Sequence, residues 1–143
     1  MKKSITFALI AALGFAGTSL SAAEAWKTVS TKAGEVYADT KGLSLYTFRK
    51  DSAGKSKCNG ACAGAWPPYV AADGAVTVGD WTLVKRKNGD MQWAYKGAPL
   101  YYWAGDRKSG DIRGEGVGGV WDLARPGVQA KLSKKKAAYT SDY

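Results

Sequence analysis

The stretch "KGLSLYTFRKD", Lys41 to Asp51, is written again as "KGAPLYYWAGD", Lys96 to Asp106. Both copies read Lys-Gly-x-x-Leu-Tyr-x-aromatic-x-x-Asp, at an offset of 96 − 41 = 55 residues. Carried outward without a gap, the same offset pairs Trp26 with Trp81, Val29 with Val84, Lys32 with Lys87 and Gly34 with Gly89. Downstream it pairs Gly64 with Gly119 and Trp66 with Trp121. With Lys41/Lys96, Gly42/Gly97, Leu45/Leu100, Tyr46/Tyr101 and Asp51/Asp106, that is 11 identities in the 41 pairs from Trp26 to Trp66. Ordinary composition gives roughly 2 or 3 by chance, so the chain is an internal duplication. The motif residues Tyr46, Phe48 and Asp51, with Tyr101, Trp103 and Asp106, then belong to one unit used twice.

Each copy reads as β structure. "WTLVKRKNGDMQWAY" holds two strand-like runs around Asn88-Gly89, the dipeptide suited to a type I′ hairpin turn with positive φ at both central residues. Ala33-Gly34 holds the matching turn. In the motif strand Leu43 and Leu45 project to one side and Tyr46 and Phe48 to the other, because side chains alternate along a strand. Leu100 against Tyr101 and Trp103 repeats the arrangement, so both faces need cover. That predicts an all-β fold, a small pseudo-twofold antiparallel barrel or sandwich built from two repeats of about 55 residues. The expected organisation is a signal peptide at 1–25, a duplicated domain at 26–126 (repeats 26–80 and 81–126), and a basic C-terminal tail at 127–143, extended or disordered.

The compartment follows from the N-terminus. Lys2 and Lys3 precede the apolar run "ITFALIAALGFAG", and small residues at Ala23 and Ala25 offer cleavage positions. The apolar run is too short to span a membrane, so the chain is expected to be periplasmic or secreted, cleaved near Ala23 or Ala25. Without residues 1–25 the formal charge is 19 − 11 = +8. A positive balance suits anionic envelope polymers, glycans or envelope proteins as partners, as well as simple solubility, and no nucleic-acid signature accompanies it.

The two motifs, the intervening "CNGACAGAWPP" and the closing "GVGGVWDLARP" occur in order over about residues 35–126. They resemble the bacterial secreted-repeat family of predicted lipoproteins with a Yx(FWY)xxD motif. The resemblance implies secretion and repetition, and no assigned activity. The chain lacks the cysteine that would carry the lipid.

Three chemistries compete. Cys58 and Cys62, the only cysteines, stand as Cys-x3-Cys in an exported chain, which predicts a local disulfide; thiol redox or metal handling is the alternative. The absence of histidine excludes histidine-ligated metal centres and Ser-His-Asp or Cys-His pairs. Asp51 and Asp106 offer a hydrolase's paired carboxylates if they share a cleft, or turn-closing hydrogen bonds if they do not. Asp106, Asp111 and Glu115 miss the EF-hand pattern, and no metal or cofactor is expected. Trp26/Trp81 and Trp66/Trp121 obey the duplication and so belong to the core. Trp93, Tyr95, Tyr102 and Trp103, whose ungapped partners are Ala38, Thr40, Thr47 and Phe48, are the candidate binding aromatics on the surface. The function expected is a non-catalytic envelope binding or interaction module.

Overall fold

The structure, a computed structural model, describes residues 25–134. The signal-peptide expectation, apart from Ala25, and residues 135–143 of the tail lie outside the described residues. Among the described residues, seven strands form three small antiparallel sheets. β1 (Trp26–Thr31) pairs with β2 (Gly34–Asp39), and β3 (Tyr46–Phe48) pairs with β7 (Trp121–Leu123). The third sheet runs β4 (Trp81–Lys85), β5 (Met91–Tyr95), β6 (Ala98–Pro99). A short helix, α1 (Ala61–Ala65), follows the first cysteine. The expected β class and two-copy layout are present, and the sheets do not close into a barrel among the described residues.

The alternation of the motif strand is visible in the packing. Leu45 and Leu100 are fully buried in one apolar cluster, with Trp81, Trp93 and Tyr95. Tyr46, Phe48 and Tyr101 are buried in another, with Trp66 and Trp121. The two motif segments pair with each other: Tyr46 N–H donates to Tyr101 C=O at 2.9 Å, and Tyr101 N–H returns the bond to Tyr46 C=O at 3.0 Å. Equivalent residues of the two copies thus meet across an approximate twofold axis. Each copy's closing segment docks in the same way. Tyr37 N–H donates to Ala124 C=O at 2.8 Å and Trp93 N–H to Tyr69 C=O at 2.8 Å, where 124 − 69 = 55.

The second hairpin turn differs from expectation. Gly89 has a positive φ of 94°, but Asn88 does not, so this is no type I′ turn. Arg86 N–H donates to Asp90 C=O at 2.8 Å and Gly89 N–H to Arg86 C=O at 3.0 Å, the pattern of a three-residue loop closed by a left-handed glycine. Asn88 instead donates Nδ2 to Asp90 Oδ2 at 2.8 Å and accepts Asp90 N–H on its Oδ1 at 3.2 Å. The first hairpin has only Lys32 and Ala33 between Thr31 and Gly34. The extra residue shifts the register: Trp26 faces Asp39, whereas Trp81 faces Tyr95, so β4 keeps the offset of 55 and β5 takes 56. Trp93 is therefore the counterpart of Tyr37, not of Ala38.

The copies part company at their ends. Ala71 N–H extends the first copy's ladder to Met91 C=O at 2.8 Å. Its counterpart, 71 + 55, is Pro126, which has no N–H to give. The chain turns away through Gly127 (φ 71°), whose N–H donates to the Tyr95 hydroxyl at 3.0 Å. It then crosses Lys96, whose carbonyl accepts from Gln129 Nε2 at 3.0 Å, and ends on Ser133. Ser133 donates its N–H to Asp51 C=O at 2.9 Å, and its hydroxyl lies 3.1 Å from Lys50 O. The first part of the expected tail, to residue 134, opens on a turn and continues without helix or strand, held at three places.

Candidate functional site

The repeated tyrosine and aspartate build a crossed lock. Tyr46 Oη donates to Asp106 Oδ2 at 2.6 Å, and Tyr101 Oη donates to Asp51 Oδ2 at 2.7 Å. Each copy's phenol is thus held by the other copy's carboxylate. The second oxygens are filled alike: Asp51 Oδ1 accepts Lys57 N–H at 2.7 Å, and Asp106 Oδ1 accepts Arg113 N–H at 2.9 Å. Gly114 N–H donates to Tyr46 Oη at 3.2 Å, and its lack of a side chain matters, since a Cβ there would sit 2.9 Å from the Tyr46 and Trp66 rings. Tyr101 Oη also lies 2.7 Å from Ser56 Oγ.

Environment fixes the protonation of the lock. Burial first, and then the hydrogen bond to Asp106, pushes the Tyr46 phenol far above its ordinary range. Burial and the Asp51 charge do the same for Tyr101. Both stay neutral donors. Burial lifts Asp51 to about 6, against the lowering effect of its bonds from Lys57 and Tyr101. A carboxyl poised near 6 suits a general acid. Here, however, Asp51 is fully buried, both its oxygens are taken by internal donors, and neither it nor Asp106 lines a described cavity. The carboxylates close turns, as one of the two expectations held, and they also fasten the copies together, which no reading of a single copy would reveal.

The duplicated tryptophans stack on the same axis. Trp26 lies on Trp81 at 3.8 Å between ring centroids and 8° between planes, and Trp66 on Trp121 at 3.8 Å and 5°. Phe48 extends the second stack from Trp121 at 4.2 Å and Trp103 extends it from Trp66 at 4.2 Å, making four rings in a row. Burying one tryptophan removes on the order of 200 Å² from water, roughly 5 kcal/mol by area, so these stacks outweigh any single hydrogen bond between the copies.

The expected surface aromatics divide. Trp93 and Tyr95 are corrected to core: they are 4% and 6% exposed, because β5 is covered on both faces and Trp93 packs edge-on against Trp26. Tyr102 and Trp103 are half-buried. Tyr102 Oη donates to Asp39 Oδ2 at 3.0 Å. Trp103 ends the four-ring stack, touching Trp66 alone among the described rings.

Cys58 and Cys62 form the expected disulfide, with Cα atoms 5.2 Å apart. The loop that it closes is also met by Arg86, a buried cation of the other copy. Its Nη2 donates to Cys58 C=O at 2.8 Å, and its Nη1 donates to Gln92 Oε1 at 2.7 Å. The cysteines carry no free thiol, and no cluster of three or more metal-ligating side chains occurs among the described residues. Asp111 spends one oxygen on the N–H groups of Arg107 and Lys108, which hold its carboxyl below the usual range.

A family model described as a secreted repeat of unknown function matches the chain twice, at residues 27–69 and 82–125. Each match begins one residue after a duplicated tryptophan, Trp26 or Trp81. No curated protein and no solved structure matches.

Proposed function

The chain belongs to this secreted-repeat family, and on that premise we propose that it is a non-catalytic binding or interaction module of the cell envelope, its copies packed as one pseudo-twofold sandwich. The observation that supports this is the crossed lock: the four polar groups of the signature motif are committed to one another, which leaves the motif a fold-building task. The partner is an anionic envelope polymer, glycan or envelope protein, met by the half-buried Trp103, with the exposed Arg107 and Lys108 following it in the chain. Aromatic faces near cations suit sugar rings that carry acid groups.

The test is retention of a native envelope polymer fraction on the immobilised protein, compared with Trp103→Ala. Loss of the retained polymer by the variant is expected at a temperature well below its unfolding midpoint, which the lost stacking on Trp66 lowers. Trp103→Phe serves as a folded control, because phenylalanine already occupies the equivalent place at Phe48. Equal retention by all three proteins would remove Trp103 from the site, and retention by none would remove the binding function.

A further inference from the structure

Besides the hairpin insertion, the copies diverge in backbone course after Tyr69 and Ala124, and a cavity opens beside the second copy's continuation. In the first copy the chain after Tyr69 stays on the ladder through Ala71, whereas Pro126 ends the ladder and sends the second copy's continuation across the molecule to Ser133. Between that strap and β7 lies a cleft of about 240 Å³. Leu123, Ala124, Val128 and Ala130 give it apolar walls, and Arg125 and Lys131 stand on its lining with Glu115 and Asp122.

The charges in the cleft are unequally free. Asp122 is held by Arg49 in a two-point pair, with Nε to Oδ2 at 2.7 Å and Nη2 to Oδ1 at 2.6 Å. Glu115 Oε2 accepts Leu123 N–H at 2.5 Å, and its Oε1 lies 3.9 Å from Arg125 Nη2. Arg125 gives Nη1 to Ala33 C=O at 2.5 Å. Lys131 is exposed and enters no ion pair among the described residues. Counting Arg49, Arg125 and Lys131 against Glu115 and Asp122 leaves 3 − 2 = +1 on the lining and its immediate partners. At the clasp end of the strap, Lys57 Nζ lies 3.3 Å from Ser133 Oγ, with the exposed Lys50 and Lys134 next in the chain to the clasp residues. This field draws anions toward the strap.

We propose that this cleft binds a monoanionic group with a short apolar body, a carboxylate on a chain of a few carbons or an amino-acid-sized residue. The apolar part lies against Leu123, Ala124 and Val128, and the carboxylate accepts from the Lys131 ammonium. The size admits one such group and no more, being just under the range of ordinary small-molecule pockets. A single free cation selects a single negative charge. The proposal is independent of Trp103 and stands or falls apart from the envelope-binding function.

Titration of the isotopically labelled protein with valerate, valeramide and pentylamine, followed by amide chemical shifts, tests it. Valerate is expected to give saturable shifts at Leu123, Ala124 and Val128, binding roughly tenfold more tightly than valeramide, as one charge-assisted hydrogen bond supplies. Lys131→Gln is expected to erase that preference. Ala130→Trp, which fills the cleft, is expected to abolish the shifts while the unfolding midpoint holds. Preference for the amine, shifts that do not saturate, or valerate binding unchanged by Lys131→Gln would each overturn the proposal.

Discussion

At the scale of the residue, Asp51 carries the clearest measurable signature. Its carboxyl is pushed up to about 6 by burial, from an ordinary value near 4. Between those two values the folded state binds the proton and the unfolded chain does not, so unfolding free energy falls as pH rises. Asp51's contribution is therefore full below about pH 4 and lost as pH passes about 6. Asp122 has the opposite sign: the Arg49 guanidinium holds its carboxyl below the usual range, and its contribution is lost only at more acid pH. Denaturant unfolding of Asp51→Asn between pH 4 and 6 is expected to show a flatter stability profile than the parent; parallel profiles would mean that Asp51 titrates normally. The sequence marked Asp51 and Asp106 as paired residues but not their partners. The chain leaves the strand at Phe48 and turns, Asp51 N–H donating to Phe48 C=O at 3.0 Å, so spacing along the strand did not disclose which tyrosine each carboxylate meets.

At the scale of the element, the first copy's Cys58–Asn59–Gly60–Ala61–Cys62 loop is fixed twice, by its disulfide and by Arg86 reaching from the second copy. Closing so short a loop stabilises by about 2 kcal/mol in the chain-entropy model. The double variant Cys58→Ala/Cys62→Ala is expected to lose about that much in urea unfolding and to remain folded, since Arg86 still holds the Cys58 carbonyl. A loss several times larger would make the disulfide, and not Arg86, the main support. The β strands, the disulfide and the alternating faces of the motif were legible because each depends on local spacing. The register of β5 was not. One inserted residue in the Lys87–Gly89 loop moved Trp93 and Tyr95 to the core, and an ungapped comparison had no means of placing that insertion. Pro126 was legible as the end of the repeat, but the strap that it launches depends on contacts with Tyr95, Lys96 and Asp51, all distant in the chain.

At the scale of the whole molecule, the duplication is interdependence as well as repetition. Both tryptophan pairs, the Tyr46/Tyr101 bridge and both phenol–carboxylate bonds lie between the copies. Neither copy completes its own motif. The chain's repeated Tyr-x-aromatic-x-x-Asp motif thereby acquires a physical meaning: it is a joint built by both copies. Double-mutant cycles on unfolding free energy test this most directly, with Tyr101→Phe and Tyr46→Phe each combined with Asp51→Asn. The crossed pair Tyr101/Asp51 is predicted to couple by about 1 kcal/mol or more, while Tyr46 and Asp51, which share one motif copy, add to within about 0.5 kcal/mol. Coupling within the copy and additivity across the axis would contradict the lock.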